Sequence, residues 1–302
     1  ASSAACAAFI FLWLYVTEVL VRYWHGPTAG RVPWHTFSDQ SYYLASAQAF
    51  AALNFDPARH FYPPLYALVA APFSRLFPAD PFLFVNLACV AGSAGLLVTL
   101  FGKVIGRLPA ALFALAFLVL PRIMQETFIV PWTSTLATFL LFLGLWRLAR
   151  LEASRRASPS ESFLFSAILG LIVATRPLDA VAAAALYPFW LAALWWTGDG
   201  QAVTVRLRRM AQHVIALAAG GFIGPGIFCG ANVLIYRHVA SPYIRGFGGG
   251  DIFSWSGVAE KFVSIYLDSV SLYVEPGQVV LRRFPWMLAA LFAIVACLAL
   301  GS

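Results

Sequence analysis

A chain of 302 residues that is 61% hydrophobic and 11% charged does not read as a soluble domain, where about a quarter of the residues carry charge. Its net charge of +7 does not point to nucleic acid, because the arginines cluster beside apolar runs and no basic patch is interleaved with aromatics on a soluble face. Cys6, Cys89, Cys229 and Cys297 all fall inside apolar runs without CxxC spacing, which argues against a disulfide framework or a zinc site.

Taken in order, the chain reads as all-α: a polytopic transmembrane helical bundle of about eight spans. The first residue is not Met and the last apolar run stops at Gly301-Ser302, so residues beyond one or both ends are expected. Residues 4–21 form the first span, and no basic n-region or A-x-A site marks it as a cleaved signal. Glu18 lies near its end, where an acid either reaches the interface or faces protein.

Residues 22–80 form a long outer loop with two juxtamembrane helices, at 38–53 and 63–77. In the first, Tyr43, Ala47, Phe50 and Asn54 share a face, with Leu44 and Ala51 beside it. Gln40, Ser41 and Gln48 are read as lying off that face. A helix of this kind lies in the membrane interface without crossing it. Pro63-Pro64 stops one helix and starts the next. The second helix is apolar but only 15 residues long, and it contains Pro72 and Arg75.

The remaining spans are 81–102, 108–121, 131–147, 162–175, 180–197, 213–235 and 286–300. With 63–77 left out of the count, the loops Lys103/Arg107, Arg147/Arg150/Arg155/Arg156 and Arg206/Arg208/Arg209 fall on one side, which is then cytoplasmic. The outer segments 22–80, 122–130, 176–179 and 236–285 hold nine of the thirteen acidic residues. Spans 108–121 and 162–175 are short, so the bundle is read as hollowed on its outer half. The last outer loop carries Arg245 and the glycines 246 and 248–250, read as a flexible lid. Two units result: a module over 1–235, and 236–302 as outer loop plus last span.

The candidate chemistry lies in the outer segments. Asp39 can act as a general base toward an attacking hydroxyl, or it or Ser38 can cap the helix that follows. Glu126, with Asp39 and Asp80, offers oxygen ligands of the kind a divalent cation takes; it also reads as a solvated acid or a partner of Arg122 at i+4. Arg176 ends an apolar run directly, suited to clamp a lipid phosphate or to pair with Asp179 at i+3. Arg59 and His60 precede Tyr62-Pro63-Pro64 and read as phosphate or headgroup contacts, or as ordinary interfacial anchors.

These residues resemble the GT-C superfamily of polyprenyl-phosphate-dependent glycosyltransferases, most closely its protein O-mannosyltransferase and lipid A aminoarabinose transferase branch. The resemblance is carried by Asp39-Gln40-Ser41-Tyr42-Tyr43 with Ala45 and Ala47, and by Tyr62-Pro63-Pro64-Leu65-Tyr66. A weaker echo is Leu120-Pro121-Arg122 with Glu126, then Gly170 to Arg176-Pro177. It covers roughly residues 1–235. The chain departs from the branch at Gln40, where a Glu usually follows the Asp, and at Phe61-Tyr62, where Glu-Lys often precedes the prolines. Arg59, His60 or Arg176 would then replace the missing lysine.

What the resemblance implies is an inverting transfer from a polyprenyl phosphate-linked sugar to an acceptor hydroxyl, on the outer face of a bacterial inner membrane. Asp39 would match the acid of the first outer loop. Arg176, Arg59, His60, Arg122, Glu126, Tyr43 and Tyr62 would line the substrate site among membrane lipids. The alternatives are a catalytically silent subunit bound to other membrane proteins, and a lipid or solute transporter. The transporter is disfavoured because no inverted repeat or pair of broken helices is evident.

Overall fold

The computed structural model describes residues 2–20, 38–119, 131–154, 158–196, 202–239 and 241–242. The chain divides into two compact units, Ala1–Ser241 and Pro242–Ser302. The second lies outside the described residues apart from Pro242, as do the expected span 286–300, the expected lid at Arg245 and the glycines after it, Arg122 and Glu126.

The first unit is helical, with no strand among the described residues. Its helices are α1 (Ser3–Tyr15), α2 (Ser38–Ala51), α3 (Pro64–Ala70), α4 (Leu83–Phe101), α5 (Arg107–Ala114) and α6 (Thr133–Ser154). There follow α7 (Pro159–Thr175), α8 (Ala180–Ala184), α9 (Leu186–Trp196), α10 (Val203–Gly221) and α11 (Ile223–Tyr236). Leu83–Phe101, Thr133–Leu151 and Val203–Tyr236 are long and apolar enough to cross a membrane, and Ser3–Glu18, Pro159–Thr175 and Ala180–Trp196 are shorter apolar helices. Seventeen residues of α7 reach only about 26 Å at 1.5 Å per residue, short of a ~30 Å hydrocarbon core. Among the described residues three helices are thus long and apolar enough to cross a membrane, where about eight spans were expected.

Several boundaries differ from the sequence reading for identifiable reasons. The expected helix 63–77 is α-helical only over Pro64–Ala70 and tightens to a 3₁₀ turn over Ala71–Arg75. Pro72 has no N–H to donate and its ring crowds the carbonyl four residues back, which ends the α-helix there. The span expected at 213–235 begins ten residues earlier, at Val203. Its basic first turns are not a loop, and the Arg206 guanidinium sits 4.9 Å from the centre of the Trp195 ring. Glu18 lies in a π-helical turn, Val16–Leu20, and is buried in protein.

Helix α4 is the central element. Phe82, Val85 and Cys89 belong to a core shared with α2, α3, α6, α7 and α9, whereas Leu83, Leu87, Val90, Ala94 and Leu97 belong to a second core with α1 and α5. A helix apolar all round is one buried all round. A second seam joins α7 to α10 and α11. Ser162 meets His213, Oγ to Nδ1 at 2.8 Å. The Ser166 hydroxyl donates to the Leu217 carbonyl at 2.5 Å. A Cβ on Gly170 would stand 2.7 Å from the Gly221 carbonyl oxygen. Each pair is separated by 51 residues, so α7 and α10 run parallel. Ser162, Ser166 and Gly170 recur every four residues, the small-residue stripe that lets two backbones approach closely.

Candidate functional site

The site grows from the start of α2. Asp39 lies in the first turn, where a negative charge is favoured by the exposed N–H groups. Its carboxylate does not cap the helix. Instead Oδ1 accepts the Tyr62 hydroxyl at 2.6 Å, within the range of charge-assisted bonds. Oδ2 has no partner among the described residues. Tyr62 reaches Asp39 because Pro63 holds the residue before it extended, and Pro64 then opens α3 with its fixed φ.

Around this pair lies a run of rings. Tyr42 stacks on Phe61 at 5.2 Å, Tyr43 meets Tyr62 at 4.6 Å, and Tyr66 stacks on Phe82 at 4.6 Å. Tyr42 is exposed, whereas Tyr43 is buried between Tyr62, Tyr66 and Phe82. Tyr43, expected as a substrate contact, is thus the floor under Asp39. Below it the Tyr66 hydroxyl donates to Asn86 Oδ1 at 2.7 Å and fixes α3 to α4. Asp80 is also buried, with Oδ1 accepting the Phe82 N–H at the entry to α4.

The connection from α2 to α3 is rigidly tied. Asn54 Oδ1 accepts the Asp56 N–H at 2.9 Å, and Asp56 Oδ1 accepts the Ala58 N–H at 3.0 Å. His60 is 4% exposed, and both ring nitrogens are used. Nε2 is 3.0 Å from the Asn54 carbonyl, so Nε2 carries the proton and Nδ1 accepts the Ser46 hydroxyl at 2.8 Å. Burial holds its pKa below the ordinary value, opposed by the Asn54 carbonyl and the Asp56 charge. The expected anion contact is therefore corrected: a buried neutral imidazole with both nitrogens engaged is a structural pin. Arg59, beside it, is exposed.

Arg176 lies just past α7, its Nε 3.6 Å from Asp179 Oδ1, the i+3 pairing open from the sequence. Both are partly exposed, and burial raises the Asp179 pKa while Arg176 pulls it back down. Arg176 shares a side of the bundle with Asp39. The Tyr236 hydroxyl at the end of α11 donates to the His60 carbonyl at 2.5 Å, and α7 runs parallel to α10, so their C-terminal ends face the same way. Arg122 and Glu126 fall outside the described residues, and among the described residues no three His, Cys, Asp or Glu side chains gather as metal ligands.

Gln40 was misplaced by the sequence reading. It is fully buried, and neither its amide oxygen nor its nitrogen has a hydrogen-bond partner among the described residues. The signal was present: Gln40 precedes Tyr43 by three residues and so shares the face of Tyr43, Ala47 and Phe50. No family model, curated protein or solved structure matches the chain. The arrangement itself offers a carboxylate with one oxygen oriented and one open, on a floor of aromatic rings, with guanidinium groups on the same side.

Proposed function

We propose that the protein is a membrane glycosyltransferase that moves a sugar from a polyprenyl phosphate to an acceptor hydroxyl at the outer face. The observation that carries this reading is the Asp39–Tyr62 pair. It holds one carboxylate oxygen still and leaves the other able to take a proton from an acceptor. The acceptor oxygen would attack the anomeric carbon, the bond to the phosphate oxygen would break, and Arg176 or Arg59 would neutralise the departing phosphate. Multi-pass insertion with the basic loops in the cytoplasm belongs to the same reading.

The silent-subunit reading is favoured by one feature, the Arg176–Asp179 pair, which already engages the guanidinium at Nε. Asp39→Asn separates the two. It keeps an acceptor for Tyr62 while removing the base, so transfer should fall about 10²–10⁴-fold with folding and lipid binding intact. Transfer within twofold of wild type would remove Asp39 as the base. A wild-type protein that transfers no sugar from any polyprenyl phosphate donor, yet purifies as a stable membrane assembly, would favour the subunit.

A further inference from the structure

A crevice of about 480 Å³ opens between α4, α5 and α6, within the range of roughly 300–1,000 Å³ typical of ligand pockets. It lies at the opposite end of the bundle from Asp39. Leu97, Leu100 and Phe101 at the end of α4 face Phe142, Leu145 and Leu148 late in α6, and every lining side chain is apolar. Water finds no polar partner in such a space, and an empty crevice forfeits packing on all its walls. Both α4 and α6 contain segments long and apolar enough to cross a bilayer, so what adjoins the crevice in a membrane is acyl chain.

Basic residues follow the lining residues closely in sequence. Lys103 follows the lining residue Phe101 by two positions, Arg107 opens α5, and Arg150 follows the lining residue Ala149. All three are exposed and have no carboxylate partner among the described residues. Arg150 instead sits 5.6 Å from the ring centre of Trp146, a residue type that settles at the membrane interface. An apolar slot with cations nearby in sequence, none of them paired with a carboxylate among the described residues, matches one ligand geometry, an acyl chain joined to an anionic head.

We infer that this crevice binds one acyl chain of an anionic phospholipid, whose headgroup phosphate is held by Lys103, Arg107 and Arg150. This site is separate from the one beside Asp39 and does not depend on the proposed transfer reaction. The lipid belongs to the leaflet on the side of the basic loops, where anionic headgroups attract such residues.

The test uses the full chain, delipidated in detergent, with binding read by native mass spectrometry. Phosphatidylglycerol should bind at least fivefold more tightly than phosphatidylcholine of the same chains. Lys103→Gln and Arg107→Gln should each weaken phosphatidylglycerol about fivefold and leave phosphatidylcholine unchanged. Ala149→Phe, which plugs the slot, should weaken both lipids. A readout that needs no crevice variant is quenching by acyl-brominated phosphatidylglycerol, part of which should disappear in Trp146→Phe. Equal affinity for the two phospholipids would overturn the proposal. So would unchanged binding to a folded Ala149→Phe, quenching that is the same without Trp146, or displacement of the bound phospholipid by a long-chain polyprenyl phosphate.

Discussion

At the scale of single residues, His60 shows how burial decides a role that composition leaves open. An exposed His beside Arg59 would be a headgroup contact; the same His with both nitrogens bonded inside protein is a clamp on the α2–α3 connection. Its folded-state pKa lies below the ordinary 6.5, so the unfolded chain binds the proton first as pH falls. The stabilisation is therefore complete above about 6.5 and is lost as pH drops toward the lowered value, with a slope of at most about 1.4 kcal/mol per pH unit. Thermal unfolding between pH 7.5 and 5 should show this loss, and His60→Gln should flatten the slope; an unchanged slope would remove His60 as its source. Asp39 was legible because it is the one acid between Glu18 and Asp56. Its partner Tyr62 was not, since no local spacing links residues 23 apart.

At the scale of elements, the end of α2 carries a test of backbone conformation. The Asn54 N–H bonds the Ala49 carbonyl and the Leu53 N–H bonds the Phe50 carbonyl, a Schellman closure that needs a left-handed residue at Leu53, whose φ is 53°. Leucine is strained there, and its side chain is exposed. Leu53→Gly should stabilise the protein by about 0.5–1 kcal/mol, whereas Leu53→Ala should not. A thermal melt of the two variants checks the difference. The α7 seam supplies a second matched pair. A Cβ on Gly224 would collide with the Gly170 carbonyl, while one on Gly226 meets nothing within 4 Å. Gly224→Ala should destabilise by about 1–3 kcal/mol as α11 is pushed off α7, and Gly226→Ala should be near neutral. Equal effects would mean that the close approach is not what holds the seam. The helices themselves were legible from apolar runs. The start of α10 was not, because Arg206, Arg208 and Arg209 read as a loop until Trp195 is seen beneath Arg206. The stripe Ser162, Ser166, Gly170 was in the sequence and would have announced the seam.

At the scale of the whole chain, the parallel pairing of α7 with α10 sets which ends share a side. The starts of both helices, and with them Ser158 and the Arg206–Arg209 turn, face one way; His60 and Tyr236 face the other. In intact cells, an impermeant thiol reagent added from outside should label Ala58→Cys and should spare Ser158→Cys and Gly200→Cys. Labelling of Ser158→Cys would invert the orientation assigned from the arginines. The bond from Tyr236 to the His60 carbonyl has a consequence in time. The two residues are 176 positions apart, so the loop that carries Tyr62 toward Asp39 emerges from the ribosome long before the helix that braces it. Until α11 is made and threaded into place, the growing protein holds every residue of the Asp39 pair but lacks that clamp. A nascent chain stalled in α10 therefore carries Asp39 and Tyr62 without the Tyr236 brace on the loop between their helices.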